Sequence, residues 1–155
     1  MTLASACPPA AAWRCLTPRS CSHRPPRILV ADDDVEVRCL VAGALRKDGY
    51  EVVEALDGGR LLVQVAAAYG RHGRDVACDV IVSDIRMPVC SGLEVLEGLR
   101  KAQCTTPVIL MTAFGDEGTS EYVQSLRAIL FHKPFDVDDL RTAVMNLLPG
   151  RAPRG

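Results

Sequence analysis

The 155-residue chain, 48% hydrophobic and 24% charged, has room for one ordinary globular core and none for a second folded domain. Its net charge of -1 conceals a split, because residues 1–27 and 149–155 hold six Arg and no acid, leaving 12 basic against 19 acidic residues between them. An acidic body argues against nucleic acid as a direct partner, and there is no run of about 18 apolar residues to span a bilayer.

Residues 1–26 are rich in Pro, Ala, Ser and Cys, lack hydrophobic periodicity and end in Pro25-Pro26, which predicts a poorly ordered extension. Met1 to Ala12 has no basic leader, and Pro8-Pro9 breaks its apolar run, so it does not read as a signal peptide. The seven Cys form no CxxC pair and have no His at zinc-ligand spacing; they read as reduced thiols of a cytoplasmic protein.

From residue 27 to 148, short apolar runs alternate with longer amphipathic ones. The predicted strands are Ile28 to Ala31, Tyr50 to Ala55, Val80 to Ser83, Val108 to Thr112 and Ile129 to His132. The predicted helices are Val35 to Lys47, Gly59 to Tyr69, Ser91 to Lys101, Asp116 to Ser125 and Val137 to Leu148. In the first, Val37, Leu40, Val41, Ala44 and Leu45 recur at spacings of three and four, and Asp48-Gly49 ends it. Asp136 has the character of an N-cap for the last helix. Gly70 to Ala77 reads as a surface loop, and Pro149 to Gly155 as a flexible tail. Five βα units predict an α/β, doubly wound, five-stranded parallel sheet with helices on both faces, of flavodoxin-like type.

In such sheets a ligand lies beyond the carboxyl ends of the strands. The first strand runs into Asp32-Asp33-Asp34, the third into Asp84, the fourth delivers Thr112 and the fifth Lys133. Converging carboxylates raise one another's pKa, and a hard divalent cation with oxygen ligands reverses that effect, so Mg²⁺ is the expected cofactor. Lys and Thr supply donors for phosphate oxygens, and Asp84, alone at its strand end, is the natural nucleophile for a phosphoryl group. Pro134 follows Lys133 and can carry a cis bond that aims the lysine inward; a trans Pro opening the last helix is the alternative.

Four fragments in order, Ile28-Leu-Val-Ala-Asp-Asp-Asp34, Val80-Ile-Val-Ser-Asp-Ile-Arg-Met-Pro88 with Gly92, Val108-Ile-Leu-Met-Thr-Ala113 and Lys133-Pro-Phe135, resemble the response regulator receiver domain over roughly residues 27–148. The resemblance implies Asp84 as phosphoacceptor, and Asp33, Asp32, Asp84 and the main-chain carbonyl of Arg86 around Mg²⁺, with Asp32 acting partly through water. It also implies Thr112 and Lys133 as phosphate contacts. Asp34 falls one place past the acidic pair and reads as a helix-start residue. The implied phosphodonor is a phosphohistidine on a sensor histidine kinase or histidine phosphotransfer protein.

The chain also departs from the family pattern. The place of the switch aromatic, three before the lysine, is Leu130, and Phe131 substitutes only if the strand register differs. Ser125-Leu-Arg-Ala128 replaces the usual Gly-Ala turn, which predicts an altered turn before the last strand. Alternation points His132 away from Lys133, towards solvent; Cys90 reads as packing, and Arg86 and Phe114 border the pocket as candidate gates for water.

The expected function is a phosphoacceptor switch of a two-component phosphorelay, not an enzyme in the ordinary sense, with no output domain attached and a protein as its downstream target. Homodimerisation is left open. The alternative is a receiver-fold interaction module that no longer depends on phosphorylation, which Leu130 favours. A haloacid dehalogenase-type hydrolase fits poorly because Glu36 stands where Thr or Val is required, and no glycine fingerprint for a nucleotide follows the first strand.

Overall fold

The computed structural model describes residues 24–69 and 78–148. Most of the expected N-terminal extension, the loop Gly70 to Ala77 and the tail from Pro149 lie outside the described residues. The chain alternates strands and helices as β1 (Arg27–Ala31), α1 (Val35–Lys47), β2 (Glu51–Ala55), α2 (Gly58–Tyr69), β3 (Val80–Asp84), α3 (Gly92–Lys101), β4 (Val108–Thr112), α4 (Glu117–Ser125), β5 (Ile129–His132) and α5 (Val137–Leu147). Among the described residues no helix is long and apolar enough to cross a membrane.

Side-chain caps fix where the helices begin. Asp34 accepts hydrogen bonds from the amides of Glu36 and Val37 and starts α1. Ser91 and Glu94 form a reciprocal capping box at α3, Asp116 accepts from the Thr119 amide at α4, and Asp136 from the Asp138 amide at α5. Ser91 and Asp116 therefore flank helices that the periodicity alone had them open.

The five strands are parallel in the order β2-β1-β3-β4-β5. The doubly wound expectation is met, and the order reverses between β1 and β3, where such sheets bind ligands. Of the central strands, β3 and β4 are buried along their whole length and β1 from its second residue on, which is why they read as continuous Val/Ile/Leu runs.

Strand alternation divides the core. Leu29, Ile81 and Leu110 pack with Leu61, Leu96, Leu99 and Val123 under α2, α3 and α4. Ile28, Val30, Val82, Ile109 and Met111 pack with Val41, Leu45, Leu140 and Val144 under α1 and α5. Each fully buried side chain contributes roughly 1.5–3 kcal/mol relative to exposure, so the two layers hold the strand ends in register to present a site.

The turn before β5, where Ser125-Leu-Arg-Ala128 stands, closes α4. Arg127 stands in the left-handed region at φ 56°, its amide donates to Gln124 O (2.9 Å) and the Ala128 amide to Val123 O (3.2 Å). That is the Schellman closure that glycine usually makes, as Gly49 does at φ 88° after α1. Arg127 thus takes the left-handed place that glycine usually fills in this closure. The Arg100 guanidinium supports it by donating to Leu126 O (2.7 Å) and Cys104 O (2.7 Å).

Candidate functional site

Pleating sets which side chains meet at the carboxyl edge. Asp32 lies two residues beyond Val30, Asp84 two beyond Val82, and Lys133 two beyond Phe131, all on the α1/α5 side. Lys133 Nζ donates to Asp32 Oδ2 at 2.9 Å and lies 3.2 Å from Asp84 Oδ1. Asp32, Asp33 and Asp84 each bring a carboxylate oxygen within 4.8 Å of the others. Asp32 and Asp84 are buried, whereas Asp33 is exposed.

Burial first, and then the charge of Asp32, push the Asp84 carboxyl up to about 6, against the opposing pull of Lys133. Burial alone would lower the Lys133 ammonium, but its hydrogen bond to Asp32 and the charges of both carboxylates outweigh it, so its pKa rises. One ammonium thus serves two carboxylates while a third stands beside them, leaving an excess of negative charge that suits a divalent cation.

The β3–α3 loop is drawn tightly over the site. The Gly92 amide donates to Ile85 O (3.0 Å), and a Cβ at Gly92 would collide with the Asp84 carbonyl and come within 2.7 Å of Ser83 Oγ. Only glycine allows that approach, which explains Gly92 eight residues after Asp84. The Arg86 guanidinium sits 4.7 Å from the centre of the Phe114 ring, so these two residues, each two past a strand end, close over one another beside the pocket.

Thr112 is buried at the end of β4, and its Oγ1 accepts from the Phe114 amide at 3.1 Å. The Lys133–Pro134 peptide bond is cis. Leu130 pairs with Leu110 and packs in the core layer under α4, whereas Phe131 pairs with Met111 and packs on the opposite face against Phe135, 5.8 Å between ring centres. Phe131 therefore does not take the aromatic's place. His132 is exposed; Cys90 is half-buried against the core, and burial pushes its thiol up.

Sequence reasoning missed Arg38. It is only 8% exposed, its Nη1 donates to the Asp32 carbonyl at 2.8 Å, and its Nε donates to Glu54 Oε1 at 3.3 Å. With the Asp32 amide bonded to Ala55 O (3.2 Å), the acidic loop is held at both peptide groups. The signal was present: Arg38 stands in the stripe with Val41, Ala42 and Leu45, where α1 should carry an apolar residue.

Comparison with known proteins agrees with this geometry. Residues 28–145 match the family model described as the response regulator receiver domain. The regulatory protein AtoC of Escherichia coli is 36% identical over 79% of this chain, but the aligned part is 25% of AtoC. Sporulation initiation phosphotransferase F of Bacillus subtilis is 31% identical over 79% of this chain and 94% of its own length. Among solved structures, the receiver domain of Francisella response regulator 1452 superposes with a TM-score of 0.68 at 28% identity, covering 79% of this chain and 96% of that one. TrrA of Thermotoga maritima, solved in complex with Mg²⁺ and BeF, gives 0.65 at 33% identity over 79% and 99%. Fold, acidic edge and sequence agree: the chain belongs to the response regulator receiver domain family, the switch modules of two-component systems.

Proposed function

We propose that the chain is a phosphoacceptor switch in which Asp84 takes a phosphoryl group from a phosphohistidine on a sensor histidine kinase or histidine phosphotransfer protein. The observation that carries this reading is the bridge from Lys133 to both Asp32 and Asp84, beside a third carboxylate at the switch point of the sheet. The carboxylates of Asp32, Asp33 and Asp84 form an all-oxygen donor set that fits Mg²⁺; Asp33, Asp84 and, as the family resemblance implies, the Arg86 carbonyl would hold the ion, with Asp32 acting partly through water. When bound, the ion neutralises charge on the transferred phosphoryl group.

The chain's own residues do the rest. An Asp84 carboxylate oxygen attacks phosphorus, the P–N bond breaks, and the histidine nitrogen keeps the electron pair and takes up a proton. Lys133 exchanges its contact with the Asp84 carboxylate for one with the new phosphoryl oxygens, and the Thr112 hydroxyl turns from the Phe114 amide to donate to them. The changed charge alters the α4–β5 surface and with it affinity for a downstream protein. Domain limits of 27–148 suit this reading, since the motifs lie within them.

Treatment with acetyl phosphate and Mg²⁺ followed by borohydride reduction tests it, because borohydride converts an aspartyl phosphate to homoserine. Peptide mapping is expected to find homoserine at position 84. Homoserine at another acid would reassign the nucleophile. None at all would support the receiver-fold interaction module independent of phosphate.

A further inference from the structure

We infer that His132, and not Leu130, carries the position of Thr112 to the surface of α4. This rests on the proposed movement of Thr112 towards a phosphorylated Asp84.

Thr112 and His132 are register partners on adjacent strands, so their side chains leave the same face of the sheet, the one covered by α4. Both meet Gly115. A Cβ built there would lie 2.6 Å from His132 Cε1, 2.9 Å from His132 Nδ1 and 3.0 Å from Thr112 Cγ2. The imidazole, the threonine methyl and the β4–α4 loop backbone therefore share one close-packed point, with no room for a single added carbon.

Thr112 cannot turn its hydroxyl to Asp84 in isolation. Its Oγ1 is held by the Phe114 amide at 3.1 Å, and a staggered rotation that moves Oγ1 also moves Cγ2, the atom that faces Gly115. Releasing Phe114 and displacing the methyl shift the loop at Gly115, against which the imidazole rests. His132 is free to respond, since it is exposed and borders a cavity of about 330 Å³ formed with Asp116, Glu117, Ser120 and Glu121 at the start of α4. Leu130 lies two residues back along β5, beside Leu110 and within the apolar layer, away from this contact.

The test is a ¹H–¹³C spectrum of the histidine Cε1 groups of the full chain with Mg²⁺, before and after beryllofluoride, the His132 signal being assigned with His132→Gln. Bound beryllofluoride is followed separately by ¹⁹F resonance. The expected result is a displaced His132 signal in the wild type and in Leu130→Val, and no displacement in Thr112→Ala when beryllofluoride is raised, against the lost hydroxyl contact, until ¹⁹F shows the same bound fraction as in the wild type. An adduct with an unmoved His132 signal overturns the inference, as does a displacement that survives Thr112→Ala or is lost in Leu130→Val. Absence of any bound beryllofluoride removes the phosphoacceptor reading itself, and this inference with it.

Discussion

The ammonium of Lys133 and the carboxylate of Asp84, from strands separated by β4, face each other at 3.2 Å across the carboxyl edge of the sheet. The contact does not fully stabilise the Asp84 anion, whose pKa is pushed from 3.8 to about 6. A carboxyl more basic folded than unfolded contributes stability that is complete below its unfolded pKa and is lost as pH rises through its folded one. In metal-free protein, Asp84→Asn is therefore expected to be more stable than wild type at pH 8, by about 1–2 kcal/mol after allowance for solvent screening. The advantage should shrink as pH falls through 6 and vanish below 3.8. Urea denaturation across that range checks it; a pH-independent difference counts against the linkage.

Lys133→Met leaves the fully buried Asp32 carboxylate without its cation. Breaking a buried pair costs about 3–5 kcal/mol, and the partial exposure of Lys133 brings the expectation down to about 2–3 kcal/mol in chelator. Mg²⁺ should recover more stability in the variant than in wild type, because its carboxylates have lost their competing charge. Thermal melts with Mg²⁺ and with EDTA measure both effects, and equal Mg²⁺ shifts in the two proteins would count against this charge balance.

Arg127 stands at φ 56°, where a side chain costs energy that glycine does not. Arg127→Gly should raise stability by about 1 kcal/mol, since the two Schellman hydrogen bonds and the carbonyl contacts of Arg100 use only backbone at this turn. A lowered melting temperature would show that the arginine side chain itself supports the turn.

Phe114 is 70% exposed, and its ring is held by Arg86. An exposed cation–π contact is worth about 0.5–1 kcal/mol, so Arg86→Ala or Phe114→Ala should open the pocket to water and shorten the phosphorylated lifetime about two- to five-fold. Timing phosphate release after removal of the donor decides it; unchanged lifetimes would mean that these residues do not gate water.

Most of the fold was legible because its signals are local. Continuous apolar runs marked β3 and β4, and the acids and lysine that end the strands named the site before the sheet order brought them together. What escaped depends on tertiary context. Arg38 interrupts an apolar stripe, but its partner is a main-chain carbonyl that no side-chain pattern reveals. The left-handed conformation of Arg127 was not legible, because in Ser125-Leu-Arg-Ala128 no glycine marks the helix end and only the closing hydrogen bonds reveal it. The role inferred for His132 arises from Gly115, whose closeness to the imidazole follows from loop placement.

Whether Asp84 is the phosphoacceptor is tested most simply by the intact mass of the protein after incubation with acetyl phosphate, with Mg²⁺ or with EDTA, beside Asp84→Asn. One added phosphoryl group is expected on the wild type only when Mg²⁺ is present, and none on Asp84→Asn under either condition. Equal labelling of the two proteins, or no labelling of the wild type with Mg²⁺, would contradict it.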